Sequence, residues 1–406
     1  MKKTRSRAYR QPRLHGTIHT VLFFMVMCFA SLAVLNLLPI FLEDLGGSPR
    51  QIGFLMGLFS LASLISRPVV GWVLARYSPR GVMIAGLGLQ LAVTIGYLFV
   101  GKLGWLITFI RAAHGVAVSF FIVAALTIVV RIVSESQRAY ALGVVSAGFM
   151  IPLLVVPYIA EEIIYRSGFT AYFLFAVFLV TVPFLFFLFK RFGITSPVKK
   201  SRGAAVGYLR LMFRRRILVI SLMTVLFELG LSAMISFVPL LTVESPVLTA
   251  GLFFTCLGGT AVFMRLFVGR RLRIWGNARL IFPAFLFLAG GTLLIHLAYR
   301  DWMLMLSGII LGVGTGILYP HLSSAVVHGL EPREQGKALS IFAGAVDLGF
   351  FAGPVVFGVL SQGVGVRDAF LPFAGILLLL SLGLTVWAGS HLFQRLPMPV
   401  QRPKSE

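Results

Sequence analysis

Negative charge is scarce in this chain. Of its 406 residues 13 are Asp or Glu against 36 Lys or Arg, and both signs together reach 12%. A soluble globular domain carries about a quarter charged residues, so that class is excluded. Cysteine is nearly missing too: Cys28 and Cys256 offer neither zinc spacing nor a disulfide framework. No Ser/His/Asp, His-x-x-x-His or Cys/His constellation is present, which leaves an intramembrane enzyme without machinery. The glycines of Gly312-x-Gly314-x-Gly316 have no Lys-Ser/Thr after them, so they read as close helix contacts, not a phosphate loop. No polar segment is long enough for an extramembrane domain, which argues against a receptor or scaffold.

Apolar residues are abundant instead. The chain is 58% hydrophobic, with 37 Phe and a mean hydropathy of +0.95. About 20 apolar residues cross a bilayer core. Twelve such stretches are expected, at 17–42, 50–76, 81–100, 104–131, 137–165, 169–191, 216–243, 247–272, 278–297, 301–328, 334–363 and 367–392. Turns such as Gly46-Gly47-Ser48-Pro49 and Tyr77-Ser78-Pro79-Arg80 separate them. The first stretch has full spanning length and no small-residue cleavage site, so it reads as a retained span, not a cleaved leader.

The formal charge of +23 is explained by its placement. On this topology 28 of the 36 basic residues fall on the side of the two tails, five on the opposite side (Arg50, Lys102, Arg166, Arg300 and Arg367) and three within spans (Arg67, Arg111 and Arg265). That asymmetry predicts cytoplasmic termini. Seven of the acids (Glu43, Asp44, Glu161, Glu162, Glu244, Asp301 and Asp368) fall on the opposite side and sharpen it. Basic residues dispersed among membrane loops exclude nucleic acid as a partner.

The two halves are variants of one design. Arg67 precedes Gly71 by four residues as Arg265 precedes Gly269, 198 residues later; Ala141-Leu142 recurs as Ala338-Leu339 and Pro157 as Pro354 at 197, and Pro39 as Pro239 at 200. A near-constant offset points to a duplicated unit, as in many transporters. The expected division is a six-helix bundle over 1–191, a basic cytoplasmic linker over 192–215, and a second six-helix bundle over 216–406.

Twelve spans, a 6+6 repeat and a basic central loop together resemble the major facilitator superfamily. The family's Gly-x-x-x-Asp-Arg-x-Gly-Arg-Arg loop corresponds to Gly71 through Arg80, where Gly71, Arg76 and Arg80 match while Ala75, Ser78 and Pro79 depart from the pattern. In the family that aspartate helps latch the cytoplasmic gate. The Arg67-Pro68-x-x-Gly71 lead-in looks like that of bacterial efflux members. Arg111-Ala-Ala-His114-Gly115 is similar to the family's Arg-x-x-Gln-Gly. Gly349-x-x-x-Gly353-Pro354 looks like an element that antiporters of the family carry in span five, where this chain has Val156-Pro157. The resemblance implies an all-α integral membrane fold of two pseudo-symmetric six-helix bundles that alternate a central cavity between the two faces. It also implies a gating role for Arg67, Gly71, Arg76, Arg80, Gly349, Gly353 and Pro354.

Ionisable groups deep in spans are costly and mark function unless they reach water. Glu228 lies roughly 17 Å from the cytoplasmic end of its span and Asp347 roughly 20 Å, with Arg67 at roughly 14 Å. Glu228 and Asp347 are the expected proton carriers. Arg67 and Asp347 are expected to act as a gate, although their depths differ by several ångströms. Arg265, the repeat mate of Arg67, has Met150 at the position matching Asp347 and is expected to snorkel. Arg111 and His114, one turn apart on one helix face, are expected to tune proton coupling or to attract an anion. Asn36, Tyr319 and His321 are candidate cavity groups. The expectation is a monomeric, proton-coupled exporter of a small, moderately apolar compound in a bacterial inner membrane, with the lipid bilayer as its setting and no cofactor. Uptake symport of a small organic anion is the alternative.

Overall fold

The computed structural model describes residues 23, 25–132, 148, 150–189, 208, 210–245, 247–268 and 280–394. Both tails, most of the linker, the start of the fifth apolar stretch with Ala141-Leu142, and the end of the eighth with Gly269 lie outside the described residues. Every regular element among them is helical.

The elements are α1 (Met25–Asp44), α2 (Pro49–Leu74), α3 (Pro79–Phe99) and α4 (Trp105–Ile132). The run Val156–Phe189 follows, in which Gly168 has φ 76° and ψ −177°. Only glycine adopts that backbone cheaply, and it divides the run into α5 (156–167) and α6 (169–189). Then come α7 (Arg215–Glu244), α8 (Ala250–Phe263, continued by a π turn Met264–Val268), α9 (Ile281–His296), α10 (Asp301–Val327), α11 (Pro332–Val364) and α12 (Val366–Gln394). Ten runs are long and apolar enough to cross a membrane; α9 is apolar but shorter, and the division at Gly168 makes twelve elements.

The turn residues do what their chemistry dictates. Ser48 caps α2 in a reciprocal box with Gln51, and Ser78 caps α3, each followed by a proline at the first helical position. Pro39 has no N–H to give Leu35, and α1 tightens there into a 3-10 turn at Leu35–Leu37. Arg214 grips Glu334 of α11 through two hydrogen bonds of 3.1 and 2.9 Å, Arg215 donates to the Trp387 carbonyl and Arg216 to the Ala325 carbonyl. The last basic residues of the linker thus tie the start of α7 to α10, α11 and α12.

The end of the molecule bearing Phe189 and Arg215 is the linker end; the opposite one is the far end. At the far end one apolar core runs through both halves, from Val34, Leu38, Ile52 and Leu55 to Phe237, Leu240, Phe253 and Phe357. Toward the linker end the first half has a separate core, with Phe29, Leu74, Met83, Phe121, Ile128 and Phe187. Among the described residues the halves therefore share packing at the far end and not at the linker end.

Candidate functional site

Among the described residues α1 touches α7, and two larger seams join the halves: α2 lies against α11, and α5 with the 3-10 turn Ile151–Leu154 lies against α8. In the first, a Cβ on Gly53 would collide with the Pro354 carbonyl oxygen, and one on Gly57 would lie 2.6 Å from that of Phe351. Glycine is required there because the two backbones touch, as small residues permit between spans. Pro354 faces α2, whereas Gly349 and Gly353, one turn apart, face α7: a Cβ on Gly349 would sit 2.6 Å from Glu228 Cβ, and the Ser232 hydroxyl donates to the Gly349 carbonyl at 3.2 Å.

Below this contact, toward the linker end, Arg67 Nε donates to Asp347 Oδ2 at 2.5 Å. The expected depth mismatch is real at the backbone. With Leu64 beside Gly344, antiparallel helices leave the Arg67 backbone about six residues, roughly 9 Å, from Asp347. The long arginine side chain spans it. The arginine side chain is 32% exposed and the carboxylate 13%.

Behind the pair sits Glu228, 2% exposed, its carboxyl without a hydrogen bond among the described residues. Arg265 and Asp347 are the charges acting on it. Arg265 corrects the snorkelling expectation. It lies in the π turn, its guanidinium 5.2 Å from the Tyr319 ring centroid and its Nε buried without a partner. The side chain is thus directed at Tyr319 of α10 and not to the membrane surface. Tyr319 is under the field of Glu228, Arg265, Arg67 and Asp347 together. Two cations, two carboxyls and a phenol thus gather from α2, α7, α8, α10 and α11. Sequence reasoning gave functional roles to four of the five groups and noted Arg265 as the repeat mate of Arg67, but expected it to snorkel.

A second polar cluster lies inside the first half. Arg111 donates to the carbonyls of Leu55 (3.0 Å) and Met56 (3.2 Å) and approaches the Tyr97 hydroxyl at 3.5 Å. His114 Nδ1 lies 3.4 Å from the same hydroxyl, while its Nε2 is buried without a partner. Gly115 lets the α2 backbone at Phe59 come against α4, since a Cβ there would collide with the Phe59 carbonyl. Tyr97, which both residues meet, was not foreseen.

The remaining candidates are dispersed. Asn36 is half-buried in the 3-10 turn of α1 and makes no hydrogen bond among the described residues. His321 Nδ1 is 2.7 Å from the Ile317 carbonyl one turn back, which ties it to its own helix. Arg76 stacks over Trp72 at 3.6 Å, and Arg80 donates to the carbonyls of Phe187 and Leu188, closing the C-terminus of α6. Neither reaches α11, and Gly71 has nothing within 4 Å of its Cβ position. No group of metal-ligating side chains occurs among the described residues.

Twelve helical elements among the described residues, in two sets that pack together at one end with a charge-balanced cluster below that contact, describe a membrane transporter. The sequence matches the Major Facilitator Superfamily family model over residues 20–298 and 245–405. The chain belongs to that superfamily. It is similar to the staphylopine export protein of Staphylococcus aureus (24% identical, covering 85% of this chain and 89% of the relative). It is also similar to the multi-drug resistance efflux pump PmrA of Streptococcus pneumoniae (28%, covering 74% and 77%) and to the multidrug resistance protein MdtG of Salmonella arizonae (25%, covering 86% and 91%). Among solved structures, the fold matches a bacterial homolog of the human lysosomal transporter Spinster in an inward-facing and unoccupied conformation, with a TM-score of 0.76 at 13% identity, covering 96% of this chain and all of that one. The human organic anion transporter MFSD10 matches with a TM-score of 0.66 at 19% identity, covering 92% of this chain and all of that one.

Proposed function

We propose that the protein is a proton-coupled antiporter that exports a small, moderately apolar compound across a bacterial inner membrane, with both termini in the cytoplasm. The linker end is then the cytoplasmic face, as the distribution of basic residues requires, and the shared core at the far end is the closed outer gate. The observation that carries the reading is Glu228, buried behind the Arg67–Asp347 pair and backed against Gly349 of the helix that carries Asp347. A proton on Asp347 removes the charge that holds Arg67 and frees α2 from α11. A proton on Glu228 changes the balance that Arg265 and Tyr319 feel. Proton loading and rearrangement of the first seam are thereby one event, which is the coupling an antiporter needs. Efflux-named relatives support the direction. Arg111 fits it too: its guanidinium is buried within the first half and donates to two backbone carbonyls there, so those donors are not presented to an organic anion. Asn36 and Tyr319 are the groups we assign to the substrate, with His321 as a structural neighbour.

The test is proton flux in proteoliposomes holding purified protein and a panel of candidate substrates, with Glu228→Gln beside the parent. Substrate-dependent proton flux that disappears in the variant is expected. Transport that proceeds without proton flux and survives the substitution would overturn the assignment.

A further inference from the structure

The second seam holds a carboxylate that the coupling scheme leaves unused. Glu161 of α5 accepts hydrogen bonds from the backbone N–H groups of Ala250 (2.9 Å) and Gly251 (2.6 Å), the first two residues of α8. A helix start normally draws its cap from the residue just before it. Here Thr249 provides no such cap. Asp301, at the start of α10, takes both the Thr249 N–H (2.7 Å) and its hydroxyl (3.3 Å). The cap of α8 therefore comes from the other half of the molecule. Close packing surrounds it: a Cβ on Gly251 would collide with the Tyr158 backbone, and the Thr255 hydroxyl donates to the Leu154 carbonyl at 2.7 Å.

We propose that Glu161 is the latch of the outer gate, and that its protonation from the outside releases α8 and opens the cavity outward. The latch rests on the alternating-access reading and on the orientation given above. The chemistry is direct. An ionised carboxylate on the N-terminal amides of a helix has charge–dipole attraction and two acceptor oxygens to offer. The protonated acid loses the charge and leaves one amide poorly served. The titratable and charged groups around it are few. Glu162 is the next residue on the same helix and pairs with Arg166, and Asp301 faces the clasp from α10. An external proton thus unlocks the outer face in the step in which an antiporter must load protons from outside.

The test is a distance across the outer face. In a Cys28→Ala, Cys256→Ala background, spin labels are placed through Lys102→Cys on the first half and Arg300→Cys on the second, both exposed. Pulsed dipolar spectroscopy in lipid nanodiscs is then run in mildly alkaline and mildly acidic buffer. In alkaline buffer the parent is expected to give one short distance, and in acid a second, longer one. Glu161→Gln is expected to show the longer distance at both pH values, with the open-to-closed ratio raised about tenfold, as for loss of one charge-assisted hydrogen bond. A parent without a pH response overturns the proposal, as does a Glu161→Gln protein that responds like the parent. Glu228→Gln in the same background keeps the response, so failure of the Glu228 scheme shows in proton flux and not in this distance.

Discussion

The two seams occupy equivalent places in the duplicated scaffold, yet their charges lie at different depths. Arg67 and Arg265 are repeat mates at 198 residues, but Asp347 has Met150 as its counterpart, so the mid-span carboxylate belongs to the α2–α11 seam alone. Glu161 has Gly358 as its mate at 197 residues, and Gly251 has Gly53 at 198. At the far end the first seam is therefore glycine against backbone, with a Cβ on Gly358 meeting the Pro49 carbonyl at 2.5 Å, while the second seam carries the carboxylate clasp. Duplication supplied one geometry twice, and divergence gave each seam a titratable contact at a different depth. A carrier with its two charge contacts in different seams and at different depths can weaken one without weakening the other.

The hardest blow to this comparison is a methyl group at the glycine each seam depends on. Gly53→Ala and Gly251→Ala each drive a Cβ into backbone atoms of the opposing half, where no side chain can swing aside. Overpacking of this kind costs about 1–3 kcal/mol, enough to shift the balance between outer-closed and outer-open states by about tenfold or more. Both variants are expected to favour the outer-open state and to lose most transport, measured by counterflow in proteoliposomes and by the cross-face distance. Normal transport by Gly53→Ala would mean that α2 and α11 do not close in this way.

A smaller effect separates the charged parts of the seams. Asp347→Asn leaves Arg67 without its partner, and Arg67→Gln leaves Asp347 without its own; because the arginine side chain is a third exposed to water, each loss is expected to cost about 1 kcal/mol. The double variant removes both charges and is expected to recover more transport than either single one. Losses that simply add in a double-mutant cycle would show that the two side chains act independently.

How much of this was legible in the sequence follows from how local each signal is. Spans and turns were readable because signals such as Ser48-Pro49 and Ser78-Pro79 act within a few residues of themselves. Asp347 and Glu228 were readable because a carboxyl in an apolar run has no cheap alternative use. The closeness of Arg67 to Asp347 was harder, since depth counts backbone rise and ignores the reach of an arginine side chain. Arg265 was misread because the ring it meets, Tyr319, lies on another helix far along the chain, and such a contact leaves no mark in local composition. The Glu161 clasp was hidden for another reason. Its two halves lie 89 and 90 residues apart, and Thr249 looks like an ordinary local cap until Asp301 is seen to occupy it.

The gentlest change bears on the state this conformation does not display. Gly71, in the family's loop motif, is exposed near the linker end with no atom within 4 Å of where a Cβ would stand. In an open helix position alanine is preferred over glycine by about 0.5–1 kcal/mol. If the linker end never packs against α2 at this point, Gly71→Ala is expected to raise the melting temperature slightly and to leave transport unchanged. If the first seam closes at the linker end when the outer gate opens, the methyl group meets its opposing helix only then. The variant is in that case more stable in detergent and slower in exchange, and the cross-face distance stays locked at its short value. The two seams would then differ in one further respect: glycine serves the first at both ends of α2, whereas the second relies on Glu161.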